Sequence, residues 1–420
     1  MPTPRGSPHP MRVSAIADNT TLELDVTAMA HGGEGIARDS DGRVVFVGGA
    51  IPGDKVRAEL TKVKKMWARA QLTEVVSASP DRVSPTCPVA ARGGGCCDYS
   101  HIAPAAQPGI KREVLIGQLG AFSNSAEALG DTVVLEPATR WRSRVRLGVD
   151  SSGRAGVRTA RSTQLITDVA CSQVVPGLLD GIVGPGARTF TPGAEVIAVL
   201  DSTGQRHVVE STRAQRGRRV EKVDRVVEGS GVVEQNVGKH AFRFPATAFW
   251  QAHVAAPAAY SEVIRSWGKA DYERATGWDL YGGVGAFVPA IDEALGGAAH
   301  IDSVDYSVSA TRAAQDTLAG FALRVHNSPV EKAGELTPPG LVVLDPPRSG
   351  AGEDVVRRVA GAAPERIIHV GCDPATFARD LGYWAAHGFG VRRMVLIDAF
   401  PNTHHFEMIA QLEPDGQMQR

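Results

Sequence analysis

Five apolar runs decide the fold of this chain: TGWDLYGG (276–283), HIDSVDYS (300–307), GLVVLDPP (340–347), RIIHVGCD (366–373) and RRMVLIDAF (392–400). Each is a short strand-like stretch that stops at Gly, Asp or Pro and gives way to loop and helix-like sequence. Strands alternating with helices predict an α/β layout with a mostly parallel sheet. In such sheets ligands bind at the carboxyl ends of the strands, which is where the polar residues of these runs fall.

Working outward, the N-terminal side has a different texture. Residues 1–19 hold four prolines by residue 10 and read as a flexible tail, with no apolar core of a secretory signal. Residues 20–79 alternate with period two and are broken by turn signals at Gly32-Gly33, Asp39 to Gly42 and Pro52-Gly53, which predicts a small closed barrel of the oligonucleotide-binding type. Its segment from Lys55 to Arg69 carries six basic residues against Glu59 alone. Residues 80–240 are expected to form a β-rich central domain with a helix over 103–125, and 241–420 the α/β domain. In TRWRSRVRLGVD (139–150) Arg140, Arg142, Arg144 and Arg146 alternate, so a single strand would turn all four to one face, a candidate phosphate-binding surface. Arg213 to Arg225 would add a second basic loop.

The whole-chain balance is neutral: 420 residues, 45 Lys plus Arg against 46 Asp plus Glu. That excludes a uniformly basic nucleic-acid coat but not a local patch. No window approaches a membrane span. Five cysteines are too few for a disulfide scaffold and suit a reducing cytoplasm, yet Cys87, Cys96 and Cys97 crowd into eleven residues.

Asp279-Leu-Tyr-Gly-Gly-Val-Gly285 follows a strand and opens a helix, and the next strand ends at Asp305, where an acid can accept both hydroxyls of a ribose. The pair predicts a nucleoside cofactor. The glycine spacing and Tyr281 suit S-adenosylmethionine better than a dinucleotide, because no G-x-G-x-x-G cradle is present. Asp345-Pro-Pro-Arg348 ends another strand with two prolines that fix the acid. Cys372 ends the next, in Val370-Gly-Cys-Asp-Pro374; a loop position by a helix N-terminus would lower its thiol pKa and expose the sulfur. Glu407, in FPNTHHFE (400–407), reads either as a helix first-turn acid or as a general base beside a nucleophilic cysteine. Phe249-Trp-Gln251 offers an aromatic pair and an amide for stacking and hydrogen bonding.

Taken in order, these segments resemble the RNA uracil-C5 methyltransferases. The family's F-x-Q-x-N/H is similar to Phe249, Gln251 and His253; its L-Y-C-G-x-G to Leu280–Gly285, with Gly282 where the family has Cys; its D-P-P-R to Asp345–Arg348. The nucleophile motif S-C-N/D-P-A-T-x-A-R-D is similar to Cys372–Asp380, and F-P-x-T-x-H-x-E to Phe400–Glu407. GEGIAR, VVFVGGAIPGD and SPDRVSPTCP resemble the TRAM RNA-binding domain. The resemblance implies a Rossmann-like class I methyltransferase domain behind a TRAM barrel. It implies Cys372 as the thiolate that adds to uracil C6 and Glu407 as the base that removes the C5 proton. Gln251, Tyr281, Asp305 and Asp345 would hold S-adenosylmethionine or the target base.

Family members with a TRAM domain carry a [4Fe-4S] cluster on C-x5-C-G-G-C plus one distant Cys. Here Cys87, Cys96, Cys97 and Cys171 are the candidate ligands, for a cluster, for zinc, or for a degenerate site. Counted back from Asp98-Tyr-Ser-His101, Cys97 is the third ligand and Gly94 replaces the middle one; counted forward from Cys87, Cys96 is third and Gly93 replaces it. The implied partner is RNA, 23S ribosomal RNA in preference to transfer RNA, bound by a cytoplasmic monomer. A non-catalytic RNA-binding protein on a degenerate methyltransferase scaffold is the competing reading.

Overall fold

The computed structural model describes residues 19–122, 125–216 and 219–416. The chain divides into two compact units: residues 1–83 with 101–103, and 84–100 with 104–420. Among the described residues no helix is long and apolar enough to cross a membrane.

The smaller unit is a six-stranded sheet that closes on itself. Thr21–Asp25 pairs with Lys55–Val63 at one edge, and Ala28–Met29, just along the same stretch, pairs with Glu34–Arg38 at the other. Val26 and Thr27 bridge the seam, donating to Asp54 and Ile36 carbonyls, each at 2.9 Å. Val56, Ala58 and Leu60 point inward while Lys55, Arg57 and Glu59 point out, the alternation that small barrels require. Asp54 is buried at the barrel end, where Ile51 and Ser79 amides and Arg82 satisfy it. On the outside, Lys62, Lys64, Lys65 and Arg69 are exposed. Lys62 and Arg69 flank the Trp67 ring at 5.6 and 5.8 Å.

In the larger unit the strands of the main sheet, numbered along the chain, are β1 (Val133–Val134), β2 (Thr276–Leu280), β3 (His300–Asp305), β4 (Leu323–Asn327), β5 (Leu341–Leu344), β6 (Arg366–Gly371), β7 (Phe389–Asp398) and β8 (Glu407–Pro414). Their order is β4-β3-β2-β5-β6-β8-β7-β1. β2 through β6 run parallel, and β8 lies antiparallel between β6 and β7. The five predicted runs are β2, β3, β5, β6 and β7. Strand β4 went unread because it is a polar edge: its Arg324 and His326 reach the buried Asp302. The order reverses between β2 and β5, which opens a crevice at their carboxyl ends.

Six helices flank or follow these strands: α1 (Gln107–Phe122), α2 (Ala256–Gly268), α3 (Val288–Ala294), α4 (Val308–Thr317), α5 (Gly352–Gly361) and α6 (Pro374–Ala386). Strand interiors are apolar on both faces, as in β5, where all four residues are buried. Val343, Ile368, Val370, Ile397 and Ile409 join Tyr260 and Ile264 of α2 in one core.

The stretch before the main sheet forms a second, antiparallel six-stranded sheet from Arg144–Val149 to Arg219–Glu228. Here the arginine reading is corrected. The strand begins only at Arg144, Arg140 adopts a left-handed φ of 54°, and the four guanidiniums do not share a face. Arg142 lies over the Trp141 ring at 4.5 Å. Arg144 donates to the Ala246 and Ala248 carbonyls, and Arg146 pairs with Glu195. Burial holds the Arg142 and Arg144 guanidiniums below their ordinary pKa, Arg144 at about 10. Arg142 and Arg144 are thus used inside the protein; Arg146, two residues on from Arg144 in the strand, is exposed, and its charge adds to the lowering of Arg144. The second basic segment is the hairpin Arg206–Arg216/Arg219–Glu228, where Arg225 is neutralised by Glu210; the tip at 217–218 is outside the described residues.

One buried ion pair fixes α1 to the sheet. Lys111 is fully buried, and its Nζ donates to Asp398 at 2.6 Å and to the Phe400 carbonyl at 3.1 Å. Burial pulls its ammonium pKa down, and Asp398 opposes that pull. Removing one partner strands the other charge in a dry interior. Lys111→Met should therefore lower stability by roughly 3 kcal/mol or more, read as an earlier urea midpoint in tryptophan fluorescence; an unchanged midpoint would contradict the pair.

Candidate active site

Register alone brings two of the predicted residues together. In the β6–β8 ladder Gly371 lies opposite Met408, so the next step along each strand sets Cys372 beside Glu407. Parallel pairing of Leu344 with His369 places Asp345 at the same end of the sheet. Glu407 is the first residue of β8, not of a helix; the first-turn reading is corrected, because the apolar run after it is a central strand. Glu407 is buried, and its Oε2 has no hydrogen-bond partner among the described residues.

The electrostatics depart from expectation at the sulfur. Cys372 follows β6 and precedes α6, as predicted, but its thiol pKa is pushed up to about 12. Burial is the largest cause, the charges of Glu407 and Asp345 add to it, and Arg348 pulls the other way. The helix N-terminus gives little help because Asp373 already caps it, accepting the Ala375 and Thr376 amides at 3.1 and 3.0 Å. Burial likewise lifts Asp345 to about 7 and raises Glu407 well above the carboxylate range, the two acids disfavouring each other's charge.

The D-P-P-R loop and α6 interlock. Thr376 donates to the Arg348 carbonyl at 3.0 Å and Arg379 to the Ser349 carbonyl at 2.7 Å, while Asp380 accepts the Ala351 amide at 2.6 Å. Arg348 reaches on to His405 at 3.3 Å. The polar letters of the cysteine motif thus hold the loop that follows Asp345.

At the switch point the glycine turn is built around Asp305. Its carboxylate accepts the Gly283 amide at 3.1 Å and the Ser307 amide at 2.7 Å. Gly283 has a φ of 55°, and a Cβ there would project into open space, a cradle for a ligand. Tyr281 also takes a left-handed φ of 62°, its amide tied to the Val304 carbonyl at 2.9 Å. Beneath the turn Asp279 is buried, accepts Ser303 Oγ at 3.0 Å and is lifted to about 7 by burial. A Cβ at Gly282 would collide with Asp279 and Ser303. These residues fit a nucleoside cofactor: an open backbone edge with a half-exposed acid, three strands along the sheet from Cys372.

The Phe249–His253 segment is strapped down by the residues once read as a basic strand. Ser143 N donates to the Ala252 carbonyl at 2.9 Å and Val254 N to the Trp141 carbonyl at 3.0 Å. His253 stacks on Trp141 at 5.6 Å. Trp250 is core, packed on Phe242 and Phe244, so only Phe249, 73% exposed, is free to stack; Gln251 is half-buried.

Sequence reasoning missed Tyr260. It is fully buried on α2, its hydroxyl has no partner among the described residues, and the charges of Glu407, Asp345 and Cys372 act on it, which with burial raises its pKa. Nothing in its helical spacing separates it from a packing residue.

The four other cysteines converge. Cys97 and Cys171 sulfurs are 3.4 Å apart, Cys96 and Cys171 3.7 Å, Cys96 and Cys97 3.8 Å, and Cys87 and Cys171 3.9 Å. The same segment grips the loop before Glu407. Asp98 accepts the His404 amide at 3.0 Å and pairs with its ring, and Tyr99 N donates to the Asn402 carbonyl at 3.0 Å.

Comparison with known proteins agrees with this architecture. A TRAM domain model matches residues 18–73 and a tRNA (uracil-5-)-methyltransferase model residues 339–414. An uncharacterized RNA methyltransferase of Corynebacterium efficiens is 52% identical over 93% of this chain and 94% of its own length. The chain belongs to the RNA uracil-C5 methyltransferase family. A further relative in that family, the 23S rRNA (uracil(1939)-C(5))-methyltransferase of Halomonas elongata, is 30% identical over 94% of this chain and 90% of its own. The Pyrococcus abyssi tRNA (uracil-54, C5)-methyltransferase, solved with S-adenosyl-L-homocysteine, shares the fold, with a TM-score of 0.67 at 18% identity over 93% of this chain and 99% of that one. The chain is an RNA methyltransferase, and S-adenosylmethionine is its methyl donor.

With the thiol pKa at about 12, an ordinary cysteine titrating near 8.5 is the wrong comparison. In the free methyltransferase, alkylation of Cys372 by iodoacetamide should keep accelerating beyond pH 9, followed by mass spectrometry against Cys372→Ala. A rate that levels off by pH 7 would show a lowered thiol instead.

Proposed function

We propose that this chain methylates C5 of a uridine in RNA, 23S ribosomal RNA in preference to transfer RNA, through a covalent bond between Cys372 and C6. The observation that carries the proposal is the strand register that sets Cys372 beside Glu407, whose Oε2 is buried and unpartnered. The choice of 23S rRNA is supported by the Halomonas relative, whose name gives that substrate.

Uracil C5 is too weak a nucleophile to take a methyl group unaided. Cys372 supplies the missing electrons: its thiol proton leaves to water as the sulfur bonds to C6, and the C5–C6 π pair shifts to C5 as an enolate carbon. Bound S-adenosylmethionine supplies the electrophilic methyl group that this carbon attacks. Glu407 then takes the C5 proton, the C5–C6 double bond reforms, and the C6–S pair returns to Cys372. Asp305 and the open edge at Gly283 are positioned to hold the donor's nucleoside, with Gln251 and Tyr281 around it. Asp345, whose charge acts on Cys372, Glu407 and Asp279, orients the base or the donor amine.

The target base must leave its stack to enter a site this deep. Exposed Phe249 offers it a stacking surface. On the barrel, Trp67 between Lys62 and Arg69 offers stacking and phosphate contact without base reading. A cytoplasmic monomer acting directly on RNA completes the reading.

Two variants test it with tritiated donor and either 23S or transfer RNA. Cys372→Ala should lower methyl transfer by roughly 10^4-fold or more. Glu407→Gln should accumulate a denaturant-stable protein–RNA adduct, because the C5 proton has no acceptor. Full activity in Cys372→Ala would refute the mechanism, and transfer to transfer RNA alone would move the substrate.

A further inference from the structure

The resemblance implies a [4Fe-4S] cluster on Cys87, Cys96, Cys97 and Cys171, and the geometry does not fit one. In a cubane each thiolate binds its own iron, so the four sulfurs stand roughly 6 Å apart. Here four of the pairwise separations are 3.4, 3.7, 3.8 and 3.9 Å, Cys87 and Cys97 lie within 4.8 Å, and only Cys87 and Cys96 stand farther apart than that. A tetrahedron of thiolates around one ion at about 2.3 Å has an edge of about 3.8 Å. Cys87, Cys97 and Cys171 are therefore spaced for a single ion between them, with no room for an eight-atom cube; Cys96 touches Cys97 and Cys171 but stands farther from Cys87, and closes the set as the fourth ligand.

The loop explains why. The middle position of the cluster pattern, counted back from Asp98, falls on Gly94, and a Cβ there would collide with Val89. A cysteine cannot stand at that place in this backbone. Cys96 substitutes for it, and being adjacent to Cys97 it brings its sulfur into contact with its neighbour's rather than to a far corner. Cys87, Cys97 and Cys171 are buried among Val89, Ile166, Val157 and Val174, an apolar shell that would otherwise gain nothing from four thiols in contact. Buried Arg142 lies near enough to feel the charge of Cys171, Cys96 and Cys97 and offsets part of the negative charge of a tetrathiolate site.

We propose that Cys87, Cys96, Cys97 and Cys171 form a mononuclear four-thiolate site for one divalent, thiophilic, tetrahedral ion, zinc. The ion is a structural pin. It fixes Cys97, and through Asp98 and Tyr99 the loop that holds Asn402 and His404 ahead of Glu407.

The inference is independent of the uridine chemistry, and metal content reads it without activity. Full-length protein purified anaerobically should hold about one zinc per chain, no labile sulfide and no broad visible iron–sulfur band. Exchange with cobalt(II) should give the intense ligand-field bands of a tetrahedral tetrathiolate. Cys96→Ser should weaken the ion's retention against a chelator by 10-fold or more, with S-adenosylhomocysteine binding retained as the check on folding. Iron and sulfide in equal amounts near four per chain, or a metal-free protein with freely titrating thiols, would overturn it.

Discussion

The antiparallel insertion of β8 between β6 and β7 is the constraint on which the site depends. A side chain at the start of β8 is carried back to the carboxyl end of the parallel strands, so residues 35 positions apart in sequence become neighbours across one ladder step. A slip by one residue would turn Glu407 to the other face of the sheet. The apolar continuity of β8, buried from Glu407 to Leu412, prevents that slip. The placing of Cys372 beside Glu407 is thus secured by core packing, and α1, through Lys111, clamps the turn that feeds the strand.

The same burial that fixes the geometry opposes ionisation. A thiol pushed up to about 12 leaves on the order of one thiolate in 10^5 molecules at neutral pH. Glu407 and Asp345 are both raised by burial, and the charge of Asp345 further disfavours ionisation of Glu407. Tyr260, fully buried and with a hydroxyl that has no partner among the described residues, is a further polar group on which the charges of Glu407 and Asp345 act.

The sequence made the parallel strands legible because strands buried on both faces are continuous apolar runs flanked by glycine, aspartate and proline. It did not show β4, whose alternating polar residues are an edge serving Asp302. It misled at Arg140 to Arg146, where period two suggested a charged face; a left-handed residue and buried carbonyl acceptors break the strand, and no local signal announces either. Cys372 was found at the right place with the wrong sign of pKa shift, since helix proximity is visible in sequence while desolvation is a property of the assembled core. Asp98 lay unread within a motif quoted only for counting cysteines, and its partner His404 is 306 residues away.

Gly282 stands where the family carries cysteine, and the reason is beneath it. Asp279 and Ser303 fill the volume that a side chain would need. A cysteine at position 282 by itself would wedge the turn apart, and trimming Asp279 first would leave Ser303 without its acceptor. The three positions are therefore sterically coupled: what a side chain at one would cost is set by the size of the other two.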